Sequence, residues 1–296
     1  MLKSFRKIEF VNSAVRSFLI GLGRSIDFVK HRWPISGAVN LNVNDIEFKM
    51  YSRCDDSIVN ALFYQFDYKE KNDIQLYSRM IGQNDCILDI GANTGLYSLI
   101  AASKSASCKV IAFEPNPINT ERLKKNIHLN SLKNIEIEKY ALGEDDGEID
   151  FFVPKDNEIS DTSSAVKEFS ELTYGGRKEW KPIKIEQLSI DSYIERKKLE
   201  KVSFIKIDVE GYELFVLKGA QHTIRTYQPN LLVEVFLNEE NRAFFSNFIQ
   251  EYQYEIFFVH RNGIQKHRGS LKDKPGFNLL LCPQGRYAEF TPMNKI

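Results

Sequence analysis

The stretch from Cys86 to Pro115, CILDIGANTGLYSLIAASKSASCKVIAFEP, reads as strand, tight glycine turn, helix and second strand in one continuous run. Ile87, Leu88 and Ile90 form an apolar run too short for a helix and bounded by turn residues, the pattern of a strand buried on both faces of a parallel sheet. Asp89 interrupts it. A carboxylate near the end of a buried strand is costly unless it finds a hydrogen-bond partner, and the open end of such a sheet is where ligands sit. Gly91 and Gly95 let the backbone turn sharply and approach a ligand, after which Leu96 to Lys104 has helical composition. The next strand, Lys109 to Phe113, ends in Glu114, an acid placed to accept hydrogen bonds from both hydroxyls of a ribose.

The turn selects the nucleotide. A dinucleotide fingerprint needs G-x-G-x-x-G, and here the residues are Gly91, Ala92, Asn93, Thr94, Gly95 and Leu96. The pairing of Asp89-Ile-Gly-Ala-Asn-Thr-Gly with Phe113-Glu114-Pro115 is similar instead to a class I S-adenosylmethionine site. Acidic neighbours suit that ligand, whose sulfonium and ammonium are cationic.

The chain has 296 residues and fits one α/β domain with an N-terminal extension over residues 1–80 and a catalytic domain over 81–296. Lys and Arg number 40, as do Asp and Glu, so no global field favours nucleic acid. The balance is uneven: residues 1–35 carry seven Lys or Arg against Glu9 and Asp27, while 143–172 hold ten acids against Lys155 and Lys167. Cys54, Cys86, Cys108 and Cys282 show neither C-x-x-C spacing nor a disulfide framework, which fits a reducing compartment. With no apolar run near the roughly 18 residues of a membrane span and no clean signal-peptide pattern, the expectation is a cytoplasmic protein.

Taken in order, residues 5–29 carry an apolar stripe at helical spacing with basic residues around it. Such a stripe suits docking on the domain, on a second copy in a homo-oligomer, or peripherally on the anionic inner face of a membrane. Val39 to Tyr51 alternates as a hairpin around Asn44-Asp45, and Ser57–Phe66 and Asn72–Ile81 read as helices forming a lid or platform. Glu70, just ahead of the second helix, is a carboxylate within reach of a cofactor ammonium, or simply a helix N-terminal charge.

Asn119–Leu129 is a helix, Ile135–Tyr140 a third strand, and Ala141-Leu142-Gly143 a turn whose small apolar residues suit a flat adenine ring. From 144 to 184 the βα alternation lapses, with strand-like Glu148–Val153 and Lys181–Glu186 flanking a polar loop. That insertion is the candidate substrate flap, with Thr162, Ser163 and Ser164 as its polar contacts. Ser189–Lys197 is a helix, Val202–Ile207 a fourth strand, and one helix runs on to Tyr227. Period two puts Lys206 and Asp208 on one side at the ligand-facing end. Leu231–Phe236 carries Glu234, Glu239–Tyr252 is helical, and Glu255–Val259 with Phe277–Cys282 closes the chain. The expected fold is Rossmann-like α/β with seven strands, mostly parallel, the last antiparallel at an edge.

Four blocks, Asp89 to Gly95, Phe113-Glu114-Pro115, Ala141-Leu142-Gly143 and Phe204-Ile-Lys-Ile-Asp-Val-Glu-Gly-Tyr-Glu213 followed by Leu217-Lys-Gly-Ala220, resemble the FkbM-type S-adenosylmethionine-dependent methyltransferases in the same order. The resemblance covers about 80–236, and the Lys-Ile-Asp-Val-Glu-Gly block is its narrowest part. It implies methyl transfer to a hydroxyl oxygen, commonly of a sugar, polysaccharide or secondary metabolite. A sugar hydroxyl is a poor nucleophile, so a base or a pKa-lowering metal must stand near the methyl group. Asp208, Glu210 and Glu234 are the best placed acids. They ligate Mg2+, or Asp208 holds the cofactor ammonium while Glu210 or Glu234 takes the proton, with Lys206 setting which acid stays ionised. The cofactor set is then Glu70, Asp89, Gly91, Ala92, Asn93, Gly95, Glu114, Pro115, Ala141, Leu142 and Asp208. No Asn/Asp-Pro-Pro-Tyr block and no basic stripe interleaved with aromatics is present, so nucleic acid is not the expected acceptor.

Two other readings stay open. A nicotinamide-dependent sugar-modifying enzyme shares the βαβ-acid layout, although the missing second glycine counts against it. A catalytically inactive scaffold of the same fold is the other, and failure to bind S-adenosylmethionine is what would favour it.

Overall fold

The computed structural model describes residues 35–64, 71–155, 163–167, 179–235, 238–260, 263–267, 271 and 278–286, with Asn12, Ala14, Val15 and Ser17 before them. The first elements are a hairpin, β1 (Ser36–Val43) and β2 (Ile46–Arg53). Asn44 and Asp45 turn it with φ of 48° and 65°, the left-handed pair that matches strand twist in a two-residue turn. Helix α1 (Ser57–Tyr64) starts at Asp56, whose carboxylate accepts from the Val59 N–H at 2.9 Å, and α2 (Lys71–Met80) follows. Strand β3 (Cys86–Ile90), helix α3 (Leu96–Lys104), strand β4 (Lys109–Phe113), helix α4 (Pro117–Leu129) and strand β5 (Ile135–Glu138) then make a βαβαβ unit. Asn116 caps α4 by accepting from Ile118 N, with Pro117 in the first turn where its missing N–H costs nothing.

The short β6 (Ala141–Leu142) precedes the insertion, and β7 (Gly147–Pro154) and β8 (Trp180–Leu188) form a separate sheet with it in the order β6-β8-β7. Helix α5 (Ile190–Lys197), strand β9 (Phe204–Ile207), helices α6 (Glu213–Lys218) and α7 (Gln221–Tyr227), strand β10 (Asn230–Glu234), helix α8 (Glu239–Tyr252) and strands β11 (Tyr254–His260), β12 (Gly263–Lys266) and β13 (Asn278–Pro283) complete it.

The large sheet has eight strands in the order β12-β11-β13-β10-β9-β3-β4-β5. From β5 to β10 all pairs are parallel. The antiparallel strand β13 is not at the edge as expected; it lies between β10 and β11, and the added β12 takes the edge. Residues Asn278–Pro283 are all buried, and such a run gains more from two ladders and two covered faces than an edge offers. Two further expectations are corrected. Ala141-Leu142 is a strand paired with Gln187-Leu188 rather than a turn, and the helix expected to reach Tyr227 is two helices. It breaks at Gly219, where a side chain would stand 1.9 Å from the Gly143 carbonyl oxygen.

The sheet is covered on both faces. One hydrophobic cluster joins Val39, Leu41, Phe48 and Met50 of the hairpin and Ile74 and Tyr77 of α2 with Leu99 and Ile100 of α3 and with Phe204 and Leu232. Val15 packs on it too. The other cluster holds Tyr193, Val216, Leu217, Ile224 and Phe245 against Ile90, Ile205 and Val233. Arg122 of α4 grips Asp55 with two bonds, 3.1 and 2.9 Å, and the Tyr51 carbonyl at 3.1 Å, tying the hairpin to the βαβ unit. No helix among the described residues is long and apolar enough to cross a membrane. Apart from those four early positions, the stripe over 5–29 lies outside the described residues.

Candidate active site

The C-terminal ends of β3, β4 and β9 open onto a cleft with two lobes that share Gly91, Pro115, Phe151 and Val209. The polar lobe, about 440 Å3 and open to solvent, is completed by Asn93, Glu114, Asn119, Ser163, Asp208 and Glu210. The apolar lobe, about 310 Å3, is completed by Ile90, Phe113, Tyr140, Ala141, Leu142, Ala165 and Tyr212.

The glycine turn is held in place by backbone bonds. The N–H groups of Gly91 and Ala92 both donate to the Phe113 carbonyl, at 3.0 and 2.9 Å, so the first turn hangs on the end of the second strand. Gly91 has φ +77°, and a β-carbon there would lie 1.8 Å from the Asp208 carbonyl oxygen. Only glycine lets β3 and the loop after β9 approach this closely. Gly95 and Ala92 serve packing instead. A β-carbon on Gly95 would strike Leu123 at 2.3 Å, and Ala92 packs with Ala112 and Leu123.

Glu114, on the polar lobe, is 4% exposed. Its Oε2 accepts from Asn93 N at 2.7 Å and its Oε1 from Asn116 N at 2.8 Å. Burial pushes its carboxyl up to about 7 against the pull of those N–H donors. Each carboxylate oxygen retains acceptor capacity beyond its one backbone bond.

Asp89 does not line the cleft. It is 2% exposed and accepts from Ser98 Oγ at 2.6 Å, and burial raises its pKa against the help of Ser98 and Lys206. It is paired across the sheet with Lys206, whose ammonium is 1% exposed, 3.1 Å from Asp208 Oδ2 and 5.0 Å from the Tyr97 ring centre. Burial lowers the Lys206 pKa, but Asp208, Glu234 and Asp89 outweigh it and the group stays cationic. Lys206 is therefore the counter-ion of Asp208 and lines neither lobe of the cleft. Glu234 lies on the adjacent strand, its field acting on Lys206, and is opposite Asn278 of β13. Asn278 in turn donates to Asp73 of α2 at 2.7 Å. Of the three candidate acids, Asp208 and Glu210 face the cleft.

Among the described residues no group of three or more His, Cys, Asp or Glu is arranged to hold a metal ion. The Lys206 ammonium takes the place beside Asp208 that a cation would need. These residues do not fit a Mg2+ site.

The loop after β9 carries Asp208 and Glu210 and turns through the left-handed region. Glu210 has φ +57° and Gly211 φ +97°. Glu213, buried at the start of α6, accepts from Val209 N at 3.3 Å and Gly211 N at 2.9 Å through one oxygen. Burial pushes this carboxyl up to about 7 as well, opposed mainly by the Gly211 N–H. Ser163 lines the cleft and accepts from Asn116 Nδ2 at 3.0 Å, whereas Ser164, expected as a substrate contact, is 0% exposed and turned onto the loop. Glu70 and Thr162 lie outside the described residues. Phe151, Asn119, Tyr140 and Tyr212 were not expected in the site; the one sequence signal for Phe151 was its place in an alternating strand.

Residues 89–256 match the family model described as the methyltransferase FkbM domain. The hexuronic acid methyltransferase AglP of Haloferax volcanii is 29% identical over 157 residues, 53% of this chain and 59% of that protein. Methyltransferase sdnD of Sordaria araneosa is 29% identical over 200 residues, 60% of this chain and 77% of its own length. The 2-O-methyltransferase NoeI of Sinorhizobium fredii is 25% identical over 160 residues, 51% of this chain and 63% of that protein. The match thus spans less than two thirds of AglP and of NoeI. A solved FkbM methyltransferase of Methylobacillus flagellatus aligns with TM-score 0.43 and 19% identity over 75% of this chain and 54% of that one. The family match takes in the glycine turn, Glu114 and the whole 204–220 block, and it covers more than half of the sequence: the chain belongs to the FkbM methyltransferase family.

Proposed function

We propose that this protein is an S-adenosylmethionine-dependent O-methyltransferase acting on a hydroxyl of a sugar, glycan or glycosylated metabolite. The observation that carries the reading is one cleft in which Gly91, Glu114 and the acids Asp208 and Glu210 meet. The residues fit the cofactor. Glu114 would hold the ribose hydroxyls through its two carboxylate oxygens, the apolar lobe lined by Ala141, Leu142 and Val209 would take the adenine ring, and Asp208, half-buried, would hold the cofactor's ammonium. When bound, S-adenosylmethionine supplies an electrophilic methyl group on a sulfonium.

The chain supplies the rest. Glu210, on the polar lobe, is the acid placed to accept the proton of the acceptor hydroxyl as that oxygen takes the methyl group, the methyl–sulfur bond breaking with its electron pair left on sulfur as a neutral thioether. Lys206, fixed below, compensates the charge of Asp208 and Asp89 and so leaves the proton to Glu210. No step is assigned to a metal. The names of two relatives, one acting on a hexuronic acid and one a 2-O-methyltransferase, support a sugar hydroxyl as the acceptor class.

The test is calorimetric titration of S-adenosylhomocysteine into wild type and Glu114→Ala, followed by turnover on a panel of hexoses, hexuronic acids and their glycosides. Micromolar binding, weakened by about 1.5–3 kcal/mol in the variant, and product release with a panel member are expected. A folded wild-type protein that binds neither cofactor nor product would overturn the proposal.

A further inference from the structure

Residues 163–165 reach both lobes of the cleft and are bridged to Phe152 of β7 through Ser164. Ser163 lines the polar lobe and Ala165 the apolar lobe, while Ser164 between them is fully buried and lines neither. The Ser164 hydroxyl accepts from Val166 N at 2.9 Å and donates to the Glu210 carbonyl at 2.7 Å, with the Val209 carbonyl at 3.3 Å. On the opposite side of the same three-residue loop, Glu213 accepts from Val209 N and Gly211 N. The one Ser164 proton goes to the Glu210 carbonyl, so a side chain of the insertion and one at the start of the next helix together satisfy three backbone groups of residues 209–211: that carbonyl and the N–H groups of Val209 and Gly211. The segment they hold is costly on its own, because Glu210 sits at φ +57°, a region that a residue with a β-carbon rarely adopts.

We infer that Ser164 and Glu213 are positioning residues: together they clamp the 209–211 loop in its left-handed conformation and so fix where the Glu210 carboxylate stands in the cleft. This rests on the reading of Glu210 as the acid that faces the acceptor. The insertion then acts on the reaction through the backbone of the catalytic loop, and Ser164 does not touch substrate. Ser163 extends the clamp to the cofactor side, since Asn116, which donates to it, also donates its N–H to Glu114. The strap therefore connects the acid proposed for the ribose with the acid proposed for the acceptor.

Hydrogen exchange at the amides of 209–211 is the test, measured on the full chain as wild type, Ser164→Ala, Glu213→Ala and Glu213→Gln, each also titrated with S-adenosylhomocysteine. Both alanine variants should exchange these amides at least tenfold faster, with the rest of the sheet unchanged. Glu213→Gln should stay within threefold of wild type, because both N–H groups bond to a single oxygen that the amide retains. That rescue separates positioning from mere loss of bulk. Unchanged exchange in both alanine variants, or exchange in Glu213→Gln as fast as in Glu213→Ala, would overturn the clamp. Absence of S-adenosylhomocysteine binding by wild type would instead remove the methyltransferase reading, and the exchange comparison would still decide the clamp.

Discussion

Glu114 gives the cleft a pH dependence whose size follows from its burial. The ionised carboxylate accepts from ribose hydroxyls at both oxygens, whereas protonation occupies one acceptor position, so ligand binding strengthens as pH rises through the carboxyl pKa. With that pKa pushed up to about 7, the ionised fraction is about 0.1 at pH 6 and about 0.9 at pH 8, a roughly tenfold change in Kd or about 1.4 kcal/mol. The ligand of choice is 5′-methylthioadenosine, which keeps the adenine and both ribose hydroxyls and carries no group that titrates in this window. Calorimetry at about pH 6, 7 and 8 should show Kd falling by about tenfold in wild type. Glu213, also pushed up to about 7, stands behind the same cleft loop, so Glu114→Gln is the necessary partner experiment. That variant should bind more weakly and without a slope. A wild-type Kd that is flat across the window, or a slope that survives in Glu114→Gln, would refute the assignment of the ribose to Glu114.

Gly91→Ala places a methyl group 1.8 Å from a backbone oxygen at φ +77°, so the variant should lose at least about 3 kcal/mol in urea unfolding together with S-adenosylhomocysteine binding; a loss below about 1 kcal/mol would show that the turn yields easily. Stability of the ligand-free protein should itself respond to pH. Glu114 and Glu213 both titrate near 7 when folded, above their ordinary value of 4.5. The native state holds those protons longer than the unfolded chain, so their contribution is full below about 4.5 and is lost as pH rises through about 7. Melting temperature should therefore fall between about pH 5 and about pH 7.5, with a shallower fall in the double variant Glu114→Gln/Glu213→Gln; equal slopes would show that these acids ionise normally.

Much of this molecule could be read from local chemistry. The run from Cys86 to Glu114 specifies its own strand, turn, helix and strand, because burial on both faces, the glycine requirement and the terminal acid are all encoded within thirty residues or so of one another. The hairpin at Asn44-Asp45 and the starts of α5 and α8 are legible for the same reason, since a cap or a left-handed turn needs only its immediate neighbours, whereas α4 begins at Pro117, two residues before the expected Asn119. Asp208 and Glu210 could be expected in the cleft because a strand end in a parallel sheet fixes where its following loop emerges.

What the sequence could not decide were contacts between residues far apart in the chain. Asp89, read as a ligand, is satisfied by Ser98 and faces Lys206 across 117 positions of sequence, and nothing local distinguishes a buried carboxylate that serves the fold from one that serves a ligand. The placement of β13 between β10 and β11 depends on which ladder buries Asn278–Pro283 best, a comparison of whole arrangements rather than of segments. Ser164 and Glu213 carry no motif of their own as a pair, because their relation exists only where the insertion folds back over the loop at 209–211. The sequence by itself determined the cofactor half and the presence of acids at its mouth. Only the tertiary structure decided which acids face the cleft and what holds them there, since burial and hydrogen-bond satisfaction are properties of the assembled chain.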